Sequence, residues 1–147
     1  MRYLRLLMSA ALILALFSHA GAQTSRSAAE VIIAPFIVEP DKDDSLRGVS
    51  NSCFEQLAAA LKVKGVIVAR DPQLSEKNLQ SAPASWAVLG RLSRKEGQFQ
   101  LELRLLEVKS GEEMRSYFGA DKDPQAVCRA VEKAADRVAA FVAEQRR

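Results

Sequence analysis

The sequence predicts an α/β protein of the two-layer α+β sandwich kind, a mixed five-stranded sheet with two long helices on one face. Three observations predict it. From Gln98 to Leu105, the apolar residues Phe99, Leu101, Leu103 and Leu105 alternate with Gln98, Gln100, Glu102 and Arg104. That period of two marks a strand with one dry face and one wet face. Residues 45–62 and 124–145 instead carry apolar residues at helical spacing, so each has one face to bury. Strand, helix, strand, short helix, three strands, helix is the resulting order, and one sheet roofed by two helices is the simplest way to bury all three dry faces.

The chain opens with Arg2 and Arg5, an apolar run from Leu6 to Phe17, and the small residues Ala20-Gly21-Ala22. This is the pattern of a secretory signal peptide at 1–22, cleaved after Ala22. The run falls far short of the roughly 20 residues that span a bilayer. Cysteine does not follow the cut, so the expected product is a soluble periplasmic protein and not a lipoprotein. Removing 22 of 147 residues leaves 125, enough for one small domain. Arg2 and Arg5 leave with the peptide, so 19 Lys and Arg face 18 Asp and Glu, a net charge of +1. The two signs are mixed along every segment, which argues against a nucleic-acid partner. The one histidine, His19, lies in the signal peptide. The processed chain therefore lacks the commonest general base and metal ligand, and Ser-His-Asp or Cys-His catalysis is excluded within it.

Residues 23–29 are small and polar, a flexible lead-in. The domain is read as 30–147. Residues 30–38 (EVIIAPFIV) form an almost unbroken apolar strand for the sheet centre, with pairing weakened at Pro35. The acids of residues 39–44 suit a helix start; they lack the ligand spacing and glycine of an EF-hand loop. Asp44 or Ser45 caps the first helix, residues 45–62, whose buried face is Leu46, Val49, Cys53, Leu57 and Leu61. Gly65 ends it in a left-handed conformation. Residues 66–70 are a second short strand, parallel to the first across a right-handed crossover. Residues 73–80 are a short helix under Leu74 and Leu79.

Three antiparallel strands follow, with turns at Lys95-Glu96-Gly97 and Lys109-Ser110-Gly111. Trp86, Val88 and Leu92 share a face, and Gly90 sits among them where a side chain would crowd a neighbour. Leu105 and Leu106 break the alternation, as a bulge or a locally two-sided strand would. Asp123 caps the last helix, Pro124 opens it, and it runs to about Gln145. Its buried face is Val127, Val131, Ala134, Val138, Phe141 and Val142, and Arg146 and Arg147 suit its negative end. A membrane role is weak, because the apolar face is alanine-rich and the polar face carries both signs.

Cys53 lies mid-face on the first helix and Cys128 at the edge of the last helix's face. An even cysteine count in an exported chain suggests a disulfide. Two buried thiols are the alternative.

Residues 31–36 (VIIAPF) resemble the opening strand of the TolB amino-terminal domain, which ends in a Pro-Phe pair. Residues 86–113 are similar to that family's glycine-containing strand, basic turn, long amphipathic strand and Ser-Gly turn. The helix after Asp123 closes the unit in the same way. The cell-envelope proteins CsgG, LpoB and FlgO share this architecture. The resemblance implies a domain with no catalytic residue and no cofactor, and an envelope protein as partner. Together with the missing histidine it gives the expected function: a non-catalytic periplasmic adaptor. Its expected partner-facing surface is the wet sheet face of Arg91, Gln98, Gln100, Glu102 and Arg104, or a sheet edge that accepts a strand. Two alternatives stand beside it. One is a small hydrolase using Glu102, Glu107, Glu112 or Glu113, with Glu102 paired to Arg104 if it is only a wet-face residue. The other is a small-molecule carrier, which needs a cavity of roughly 300 Å³ or more.

Overall fold

The computed structural model describes residues 28–147. Its element order is β1 (Ala29–Ile33), β2 (Ile37–Glu39), α1 (Asp44–Val63), β3 (Val68–Arg70), a 3₁₀ turn (Glu76–Ser81), β4 (Ala84–Lys95), β5 (Gln98–Glu107), β6 (Glu113–Asp121) and α2 (Pro124–Gln145). The sheet is mixed, in the order β3-β1-β4-β5-β6, with β2 also on β4. The signal-peptide reading lies outside the described residues. The first strand starts one residue before the expected position, at Ala29, which pairs with Ala84.

The sheet has six strands where five were expected, because Pro35 divides the first. Both halves run parallel to β4. Ile33 faces Val88 and Ile37 faces Arg91, so four steps on one strand match three on the other. The spare residue is absorbed at Ala34-Pro35-Phe36, where proline has no N–H to give a ladder. Phe36 turns inward there, and its ring covers Gly90: a Cβ on Gly90 would sit 2.3 Å from Cδ1 of Phe36. That ring is the neighbour the glycine makes room for. Phe36 also meets Phe54 of α1 edge to face, centroids 5.9 Å apart.

Helix α1 starts at Asp44, one residue before the expected start at Ser45. Asp43 is the N-cap, its carboxylate accepting from the backbone N–H of Ser45 (3.0 Å) and Leu46 (3.2 Å). The helix ends in a Schellman motif. The N–H of Val66 donates to the Leu61 carbonyl (3.1 Å) and that of Gly65 to Lys62 (3.0 Å), with Gly65 at φ +77°. The β4–β5 turn is Glu96-Gly97 with both φ values positive (52° and 77°), the twist-compatible form for a two-residue hairpin. The break at Leu105 and Leu106 is a bulge, but its extra residue, Met114, is on β6: Leu105 faces Arg115 while Leu106 faces Glu113.

Both long helices lie on one side of the sheet. The main core joins Leu46, Leu57 and Leu61 of α1 and Val127, Val131, Val138 and Val142 of α2 to Val31, Ile33, Val88, Leu92, Phe99, Leu101, Leu103 and Leu105. Trp86 packs edge to face on Phe141, centroids 4.9 Å apart. Gly119 lets α2 approach β6; a Cβ there would lie 2.8 Å from that of Ala130. The two helices are joined at Cys53 and Cys128, both buried, Cα atoms 4.9 Å apart and sulfurs at bonding distance. Arg146 does not simply sit at the end of α2. It donates twice to the Glu30 carboxylate (2.5 Å each) and to the Gly65 carbonyl (3.1 Å), tying the ends of α2 and α1 to the start of β1. That hydrogen-bonded guanidinium holds the Glu30 carboxyl below the usual glutamate range, against the opposing effect of burial. Among the described residues no helix is long and apolar enough to cross a membrane.

Candidate interaction surface

The side of the sheet away from the helices is the face on which a partner was expected. It is not open throughout. Ile32, Ala34, Ala87, Leu89, Leu106 and Val108 point outward and form a second, smaller core with Leu74 and Leu79. The segment 71–83 therefore caps the half of this face nearest the C-terminal end of β5. It is pinned by its own turn. The Asn78 side chain accepts from the Ser75 N–H (2.7 Å) and donates to the Gln73 carbonyl (2.9 Å). The side chain of Glu76 reaches over the sheet to Arg104.

Arg104 thus marks the edge of the cap. It is shared between Glu76 and Glu113, the latter at 4.0 Å, and the expected pairing of Glu102 with Arg104 is not the one formed. Residues i and i+2 on a strand share a face but sit well apart, while directly opposite neighbours are closest. Glu102 has Arg91 opposite it on β4.

The uncapped half is built as two cross-strand rows. One is Glu39, Ser93, Gln100 and Ala120 on β2, β4, β5 and β6. The other is Ile37, Arg91, Glu102 and Phe118. The second row places an opposite-charge pair between two exposed apolar side chains, Ile37 at 55% and Phe118 at 69% of full exposure. Arg91 also approaches Glu39, Nε to Oε1 3.7 Å. Gln98 stands at the end of the same face, opposite Lys95. Four of the five predicted surface residues are therefore on the open half, and Arg104 is on its border. Ile37 and Phe118 were absent from the expected set. Ile37 belongs to a nearly unbroken apolar run that predicts burial, and Phe118 lies beyond the alternating stretch of residues 98–105.

Between the row and the cap is a cleft of about 90 Å³, lined by Pro35, Ile37, Leu74, Leu89, Glu102 and Arg104 among others. Broader hollows of about 600 and 490 Å³ lie on the surface beside β2 and beside Arg104. The cleft is apolar at its floor and charged at its rim, a shape that suits a protruding side chain better than a whole small molecule.

The candidate carboxylates are dispersed. Glu102 is in the open row and Glu113 is with Arg104. Glu107 and Glu112 flank the β5–β6 turn, where Glu107 accepts from the Ser110 hydroxyl and its N–H donates to the Glu112 carbonyl (2.9 Å). Among the described residues no group of three or more His, Cys, Asp or Glu side chains could hold a metal ion.

The architecture is that of a small two-layer α/β sandwich domain. Comparison with protein-family models gives no match, and comparison with curated protein sequences gives none. Similar solved structures include PelC from Paraburkholderia phytofirmans, crystallised as a dodecamer, at 13% identity and a TM-score of 0.50. The match covers 71% of this chain and 86% of that one. TolB from Acinetobacter baumannii is similar at 16% identity and a TM-score of 0.44, covering 76% of this chain and 26% of that one. The LpoB C-terminal domain from Escherichia coli is similar at 16% identity and a TM-score of 0.37, covering 65% and 84%. At such identities the likeness is one of fold. The fold expected from the TolB resemblance is the one observed.

Proposed function

We propose that this chain is an exported, non-catalytic interaction domain of the bacterial cell envelope that binds a periplasmic protein through the open half of its sheet. The observation that carries the reading is the row Ile37, Arg91, Glu102 and Phe118: two exposed apolar anchors flanking a charge pair, beside a small apolar cleft. Aromatic residues and arginine are enriched at protein–protein interfaces, and this row carries Phe118 and Arg91. The leader-like first 22 residues support export, and the lack of histidine after them supports a role without general-base chemistry. Oxidation of Cys53 and Cys128 to a bridge in the same compartment belongs to this proposal.

Photo-crosslinking tests it. A benzophenone side chain is placed at Gln100 in cells, and as a control at Glu132 on the solvent side of α2. The expected result is one discrete protein adduct from position 100 that disappears when Arg91→Glu is added, with none from position 132. Equal adducts from both positions, or one insensitive to Arg91→Glu, would remove the open sheet face as the binding surface.

A further inference from the structure

The sheet's edges differ. At one side β3 and β2 are three residues each, too short to invite a partner strand. At the other, β6 spans nine residues, and among the described residues no strand pairs with its outer edge. Long edges are normally guarded by lysine, proline or an inward charge. The run Ser116 to Ala120 (SYFGA) has none of these, the inward charges Arg115 and Asp121 standing only at its two ends, and Phe118 at its centre is the most exposed aromatic side chain of the described residues.

We propose that β6 pairs with β6 of a second copy of this chain, antiparallel about a two-fold axis through Phe118. An axis normal to the sheet pairs residues of the same face, so it must fall on a residue and not between two. Centred on Phe118, seven residues pair, from 115 to 121. Arg115 then faces Asp121 of the second copy, and the symmetry makes this pair twice. Both side chains lie on the helix side, because Arg115 pairs with Leu105 and Asp121 with Phe99 within one chain. Tyr117 faces Gly119 of the second copy, a bulky residue against the smallest. Phe118 meets its own copy on the open face, which takes an exposed ring out of water. Moving the axis to Tyr117 sets Arg115 against Gly119, so the opposite-charge pair is lost, and moving it to Ser116 carries the pairing into the β5–β6 turn. Charge complementarity therefore selects one register. The two copies would form a continuous sheet with all four long helices on one side and both open faces on the other. This pairing covers Phe118, one anchor of the row proposed above, so in the dimer a partner would meet the remaining Ile37, Arg91 and Glu102 of each copy.

The edge is small beside interfaces of about 1,200 Å² or more, so a concentration-dependent dimer is expected and not an obligate one. Sedimentation velocity on the chain purified as the cell processes it, across a thousandfold range of concentration, should show monomer passing to dimer. Arg115→Asp and Asp121→Arg should each weaken association by about tenfold, and the double exchange should restore it. Phe118→Cys should give a covalent dimer on oxidation, because that residue faces itself across the axis, while Gln100→Cys should not. Circular dichroism checks that each variant is folded. A monomer at every concentration with no Phe118→Cys dimer overturns the proposal, as does a dimer indifferent to both charge reversals.

Discussion

A methyl group at position 90 would lie 2.3 Å from Cδ1 of Phe36, far inside van der Waals contact. The ring cannot retreat outward, because it is buried and held edge to face by Phe54. Gly90→Ala should therefore behave as an overpacked core, with a loss of about 1–3 kcal/mol in urea denaturation. Phe36→Ala removes all three atoms that clash, Cγ, Cδ1 and Cε1. The double variant should be less destabilised than the sum of the two singles, a coupling read from a double-mutant cycle. Additive losses would mean that Gly90 is needed for something other than this ring. The requirement for a small residue at 90 was legible, because glycine interrupts an otherwise apolar strand face. The identity of the neighbour was not, because Phe36 reaches Gly90 only after the register step at Pro35. Helix capping shows a similar limit. In the run Asp41-Lys42-Asp43-Asp44-Ser45, four side chains are able to accept an N–H bond, and local preference does not separate them.

Helices α1 and α2 were readable almost to the residue, since each carries a cap signal and a continuous apolar face. Their mutual packing was not, because periodicity gives a face its direction but not its neighbour. Cys128 shows why. One position past Val127, it looks marginal on a helical wheel, yet it belongs to the same buried stripe as Val131, Ala135 and Val142. The two helices lie side by side and bring it to Cys53. A bridge there joins residues 75 apart in sequence, a long loop whose closure restricts the unfolded chain. Replacing both cysteines with alanine should cost roughly 2–4 kcal/mol, seen as a lower urea midpoint. Alkylation of the denatured, unreduced protein should label neither cysteine. Two labelled thiols would show that the helices are held together by packing alone. The first strand failed as a single element for a comparable reason: nine nearly continuous apolar residues give no period, so the break at Pro35 appears only as a weakened pairing.

For the molecule as a whole, the sheet has a large core under the helices and a small one under the segment 71–83. The sequence made the large core legible through two helical stripes and one alternating strand. The small core has only scattered signs: Leu74 and Leu79 in a polar stretch, Leu89 facing away from Val88, and Leu106 out of step with Leu105. None of these has a period, so half of a face that reads as wet is in fact covered. Two cores of unequal size should also differ in stability, because local opening costs only the contacts it breaks. The cap rests on two leucines, a turn of side-chain hydrogen bonds and the pair of exposed Glu76 with half-buried Arg104. Hydrogen exchange should show amides of 71–83 opening well below the free energy of global unfolding, while those of α1, α2 and β5 open only with it. Leu79→Ala should speed exchange in 71–83 and leave the helices protected. Leu103→Ala, in the main core, should cost about 2–5 kcal/mol and lower protection everywhere. If 71–83 instead exchanges only with the helices, the cap is part of one cooperative unit. The open surface would then keep its present border at Arg104. A separately opening cap would let the apolar outward side chains Leu89 and Leu106 join that surface.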